Sequence, residues 1–174
     1  DSVIGVDVKY IYINNHSDIC TDNLVIVSPD EGGVKRATRV AEKIGCGIAI
    51  MYKERDGANS VGNMVLMGDV KNKHCFIIDD MIDTAGTACK ASGILKDNGA
   101  ESIYMGVCHG VLSGPAIDRI NQSNFTKIIV TNTVEVEERF GPQEKIQILD
   151  VSEMCAAAID RSLTGKSLSE LMDL

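Results

Sequence analysis

Apolar and polar positions along this chain follow two rhythms, and one gives way to the other at regular intervals. Leu24 to Val27 is a short apolar run rich in β-branched residues, the pattern of a buried strand. From Gly33 to Ile44 the apolar residues Val34, Ala37, Val40, Ala41 and Ile44 recur at helical spacing. Gly47 to Met51 predicts a second strand. Tyr52 to Gly62 is polar and glycine-containing, which predicts a mobile loop. Asn63 to Met67 predicts a short strand before the turn at Gly68-Asp69. Cys75 to Ile78, Ser102 to Cys108, Lys127 to Thr131 and Ile146 to Leu149 predict further strands. Helices are predicted over Thr87 to Asn98, stopped near Gly99, over Ala116 to Asn121 after Pro115, and over Val151 to Leu163. In the last of these, Val151, Met154, Cys155, Ala158, Ile159 and Leu163 form one stripe. Gly165 breaks it, and Ser167 to Leu174 predicts a short terminal helix.

Apolar strands that alternate with helices imply an α/β fold, a parallel sheet flanked by helices on both faces. In such sheets ligands bind beyond the carboxyl ends of the strands. Asp30, Asp79, Asp80 and His109 all fall at predicted strand ends. The first 23 residues are harder to place, although Val3 to Val8 and Tyr10 to Ile13 have strand character. Residues 24–174 read as one domain, with a core of ordinary size.

Composition narrows the function. Hydrophobic residues make up 44% and charged residues 24%, a soluble balance. A net charge of −8 argues against a general nucleic-acid surface, which needs clustered Lys and Arg. An anionic substrate remains open, because a metal, Lys53, Arg55 and helix termini can build a local positive site. No apolar run approaches the roughly 20 residues of a membrane helix, and no secretory signal opens the chain. Cys20, Cys46, Cys75, Cys89, Cys108 and Cys155 show no CxxC spacing, and most sit in apolar patterns, as reduced thiols of a cytoplasmic protein would.

The most informative stretch is Phe76 to Ala88, FIIDDMIDTAGTA. An apolar strand ends in Asp79 and Asp80, then turns through the small loop Asp83-Thr84-Ala85-Gly86-Thr87 into a helix. A helix N-terminus offers unpaired N–H groups and the positive end of the dipole, which suits a phosphate. The neighbouring acids suit sugar hydroxyls or a magnesium-linked group. One phosphate seat beside two carboxylates describes a pocket for a phosphorylated sugar. The alternative is an ordinary helix capped by Thr87 or Asp83.

This stretch resembles the signature of the type I phosphoribosyltransferase fold. Ser28-Pro29-Asp30-Glu31-Gly32-Gly33, Lys53-Glu54-Arg55 with Ala58-Asn59, and His109-Gly110 with Ser113-Gly114-Pro115-Ala116 resemble three further motifs of one family within that fold, in the same order. That family is ribose-phosphate pyrophosphokinase, the phosphoribosyl pyrophosphate synthetases. Its members are usually about twice this length, with an N-terminal domain that supplies most of the ATP site. The chain therefore resembles a C-terminal half, expected to be nearly inactive alone. Family members assemble as hexamers, so a homo-oligomer is expected.

The resemblance implies transfer of the diphosphoryl group of MgATP to the 1-hydroxyl of ribose 5-phosphate. The products would be phosphoribosyl pyrophosphate and AMP. It places the 5-phosphate on Asp83, Thr84, Ala85, Gly86 and Thr87, with Arg55 close by, and the ribose hydroxyls near Asp79 and Asp80, of which Asp79 is the expected direct ligand. It places pyrophosphate on Asp30, Glu31, Gly32 and Gly33, with Asp30 as the magnesium ligand. Glu31 stands where the family more often has a small residue. Lys53 and Arg55 would stabilise the charge of the transition state. Ser167 and Ser169 resemble a regulatory phosphate site, although Ser167 would equally serve as a helix cap. His109 reads as a histidine that orients the following loop. Competing readings are a phosphoribosyltransferase, which would release pyrophosphate rather than AMP, and a non-catalytic subunit associated with the synthetase.

Overall fold

A computed structural model describes residues 23–54 and 63–168. The expected strands before residue 23, Arg55, Ala58, Asn59, Ser169 and most of the expected terminal helix lie outside the described residues. Seven strands form one sheet in the order β3-β2-β1-β4-β5-β6-β7. They are β1 (Leu24–Ser28), β2 (Gly47–Glu54), β3 (Asn63–Met67), β4 (His74–Ile82), β5 (Ser102–Gly110), β6 (Lys127–Thr131) and β7 (Ile146–Leu149). The helices are α1 (Val34–Ile44), α2 (Gly86–Asp97), α3 (Ala116–Gln122), the short α4 (Glu137–Phe140) and α5 (Ser152–Thr164).

Successive side chains of a strand point to opposite faces, and the two cores follow that alternation. Val25 and Val27 of β1, Cys75 and Ile77 of β4, and Ile103 and Met105 of β5 share one core. α2 covers it with Ala88, Ala91 and Leu95, and α3 with Ala116 and Ile120. Leu24, Ile26, Phe76, Ile78 and Tyr104 point the other way, onto Ala37, Val40 and Ala41 of α1. Phe76 and Tyr104 are register partners on that face, with ring centroids 6.3 Å apart. The expected α/β architecture, with helices on both faces, is thus the observed one.

Four local expectations need correction. The sheet is not wholly parallel, because β3 runs antiparallel to β2. The connection 55–62 is too short for a crossover helix, so a hairpin is the available solution. Second, β2 continues to Glu54, so Tyr52 to Glu54, expected in a loop, are strand, and Lys53 lies opposite Met64. Third, Asp79, Asp80 and His109 are not beyond strand ends. The β4–β5 ladder carries on past the apolar run and pairs Asp79 with Val107 and Met81 with His109. Fourth, the apolar stripe of α5 is not core. No described residue of α5 is fully buried, and Ile159 and Leu163 are 61% and 82% exposed. Ser167 caps no described helix. It is exposed, and its carbonyl accepts a hydrogen bond from Arg161 at 2.7 Å.

Candidate functional site

The carboxyl ends of β1 and β4 lie side by side, because these strands pair in parallel from Leu24↔His74 to Val27↔Ile77. Beyond them opens a cleft of about 270 Å³, lined by Asp30, Asp79 and every residue from Met81 to Ala88. Topology therefore brings the Asp30 loop and the Asp83 to Thr87 loop to one place, although about fifty residues separate them.

The loop from Asp83 to Thr87 is built as an open helix start. Ala85 is the N-cap residue of α2, in the left-handed region at φ 60, and no side chain caps the helix. The ladder begins only where the Cys89 N–H donates to the Ala85 carbonyl. The expected alternative, a cap from Thr87 or Asp83, is not formed. Gly86, Thr87 and Ala88 bear the N–H groups of the first turn, and all three line the cleft. Asp83, Thr84, Gly86 and Thr87 are exposed, whereas Ala85 is buried. No acid occupies the first turn, so an anion would meet the dipole unopposed.

The acids face one another across a single arginine. Arg36, in the first turn of α1, donates to Asp79 Oδ1 at 3.1 Å and lies 3.8 Å from Asp80 Oδ2. Asp79 lines the cleft and Asp80 does not. Burial is the main cause that pushes Asp79 up to about 6, and the Asp80 and Asp30 carboxylates add to it. Asp80 is lowered. Burial works against this, but the hydrogen bond with Asp79, the N–H groups of Asp80 and Met81, and the Arg36 charge outweigh it. The two carboxylates share one guanidinium and titrate as a pair.

At the Asp30 loop the backbone is bonded within its own turn. The Gly33 N–H is taken by Asp30 Oδ1 at 2.9 Å, and the Ser28 hydroxyl donates to the Asp30 carbonyl at 2.7 Å. Neither Gly32 nor Gly33 has a positive φ. Glycine is needed at 33 for space, since a Cβ there would lie 2.8 Å from Ser28 Oγ. Glu31 is exposed and does not line the cleft. Among the described residues no group of three His, Cys, Asp or Glu side chains converges. The donor set still fits magnesium, which keeps waters and takes one or two carboxylates together with substrate phosphates. Asp30 and Asp79 would hold it.

His109 is bonded through Nδ1 to Thr133 Oγ1 at 2.8 Å and does not line the cleft. Lys53 lies in β2, opposite Met64 of β3. The sequence reading missed Arg36, and it missed Arg119, whose Nη1 donates to the Thr84 carbonyl at 2.9 Å. Nothing in the sequence pairs Arg119 with Thr84.

Residues 58–173 match the family described as the Phosphoribosyl synthetase-associated domain. Ribose-phosphate pyrophosphokinase 2 of Schizosaccharomyces pombe is 45% identical over 163 residues, which are 94% of this chain and 51% of that protein. The crystal structure of phosphoribosylpyrophosphate synthetase from Mycobacterium smegmatis superimposes with a TM-score of 0.80 at 31% identity, over 92% of this chain and 51% of that one. An adenine phosphoribosyltransferase of Giardia lamblia, complexed with 9-deazaadenine, shares the fold, with a TM-score of 0.57 at 16% identity over 73% and 75% of the two chains. The chain thus spans about half the length of the synthetases it matches.

Proposed function

The chain belongs to the phosphoribosyl synthetase-associated domain family, and from that premise we propose that it carries the sugar-phosphate half of a ribose-phosphate diphosphokinase. The reaction moves the diphosphoryl group of MgATP to the 1-hydroxyl of ribose 5-phosphate, giving phosphoribosyl pyrophosphate and AMP. The observation that supports this most is the cleft itself, where the uncapped start of α2 opens beside the Asp79 and Asp30 carboxylates.

In this reading the N–H groups of Gly86, Thr87 and Ala88, with the Thr84 and Thr87 hydroxyls, hold the 5-phosphate. Asp79, braced by Arg36 and Asp80, accepts hydrogen bonds from the ribose hydroxyls. Asp30 and the turn through Gly33 receive the moving diphosphate. Asp30 with Asp79 would hold magnesium, which would supply positive charge against the diphosphate. Lys53 and Arg55 stabilise the charge of an in-line transition state, with no covalent enzyme intermediate. ATP is a co-substrate, the protein is cytoplasmic, and it works as a homo-oligomer, a hexamer in the family pattern.

A second reading, a non-catalytic subunit associated with a synthetase, draws on the match of residues 58–173 to the phosphoribosyl synthetase-associated domain. One assay separates the readings. The full-length protein is incubated with MgATP and ribose 5-phosphate, and AMP and phosphoribosyl pyrophosphate are measured together. Equal amounts of the two are expected. Ribose 5-phosphate binding without AMP would favour the non-catalytic subunit. In a parallel incubation with phosphoribosyl pyrophosphate and a base in place of those substrates, release of pyrophosphate would favour a phosphoribosyltransferase.

A further inference from the structure

The segment from His109 to Ala116 has no part in the reaction as derived above, yet it is pinned to the cleft. Leu112 is buried in the left-handed region at φ 51, and its N–H donates to the carbonyl of Ile82, the last residue of β4. Gly114 is left-handed too, at φ 55, and the turn closes with the Ala116 N–H on the Ser113 carbonyl. α3 starts there and carries Arg119 to the sugar-phosphate loop. Arg119 Nη1 lies 2.9 Å from the Thr84 carbonyl oxygen, and a Cβ built on Gly86 would be 3.5 Å from the same nitrogen. The guanidinium therefore sits against the first turn of α2, beside the residues that line the cleft rather than among them.

Two sources of positive charge meet at that position. The start of α2 is the positive end of its dipole, with no acid in the first turn and no side-chain cap. Among the described residues no carboxylate forms an ion pair with Arg119, and its one hydrogen bond goes to a neutral carbonyl. A guanidinium has five N–H donors in a planar fork. Two positive elements converging on one exposed loop are satisfied by an anion seated between them.

We propose that Arg119 is a binding residue for the 5-phosphate, holding the Thr84 carbonyl with one N–H and the phosphate of the sugar monophosphate with others. This rests on the reading of the cleft as a ribose 5-phosphate site and adds a residue to it. The competing role is a prop: Arg119 would fix the strained turn at Ala85 and suit the carboxyl end of its own helix.

The test is calorimetric titration of ribose 5-phosphate, and of inorganic phosphate, into wild type, R119A and R119K, with thermal melting of all three. The expected result is that R119A binds ribose 5-phosphate about tenfold or more weakly, the loss of a charged hydrogen bond. Inorganic phosphate should weaken in parallel, R119K should recover part of the loss, and the melting curves should coincide. If R119A binds as tightly as wild type, the proposal is overturned while the site reading stands. If both variants melt early and lose binding equally, Arg119 is only a prop and the proposal also falls. If wild type binds neither ligand, the site reading itself fails, and the proposal with it.

Discussion

Asp79 carries opposing demands. Its carboxyl is held up to about 6 by burial and by two acidic neighbours, yet ribose recognition wants it ionised. The Arg36 contact at 3.1 Å reconciles these by keeping a cation beside the pair. The sign of the pH effect follows. A carboxyl that titrates higher when folded than unfolded binds extra protons in the folded state, so its contribution is greatest at low pH and is lost as pH rises through about 6. Melting wild type and Asp79→Asn side by side should show wild type gaining relative stability as pH falls from 7 to 5. A constant difference across that range would mean Asp79 titrates normally. Ribose 5-phosphate affinity should move the opposite way and fall below about pH 6. Arg36 and Arg119 were invisible from sequence for one reason: each acts on a residue brought near by strand pairing, not by spacing along the chain.

Elements were legible where a short run is mostly apolar, as in β6 and β7, whose expected bounds are the observed ones. β2, β4 and β5 extend beyond expectation because a neighbouring strand supplies backbone partners for polar residues too. Lys53 pairs with Met64, and Asp79 with Val107. A residue's own polarity cannot report such a partner. The antiparallel edge has a further dependence. Gly68, which follows β3 at φ 120, lies so close to β2 that an added Cβ would be 2.9 Å from the Ala49 Cα. Backbone cannot yield as a flexible side chain does. Gly68→Ala should therefore cost about 2–3 kcal/mol, read as a lower urea midpoint with unchanged m-value. A midpoint equal to wild type would show that the β2–β3 hairpin is freer than its geometry implies.

For the molecule as a whole, the cleft lies at the carboxyl edge of the sheet and both cores lie behind it, so the packing serves to hold β1, β4 and the start of α2 in register. α5 stands apart from this work. Its apolar stripe looks like core in the sequence, because periodicity reports amphipathicity but not what a face meets. With Leu163 82% exposed, Leu163→Gln should change stability by less than about 0.5 kcal/mol in urea unfolding. A loss of 2 kcal/mol or more would mean the stripe is buried after all. The central claim, that the Asp83 to Thr87 loop seats a sugar phosphate beside Asp79, is tested most directly by calorimetry of ribose 5-phosphate with magnesium, on wild type and on a variant carrying Asp83→Ala and Thr87→Ala. Both side chains are exposed in the cleft, so the variant should fold. The account predicts binding by wild type and a loss of about tenfold or more in the variant. Equal affinity for the two proteins, or no binding by wild type, would contradict it.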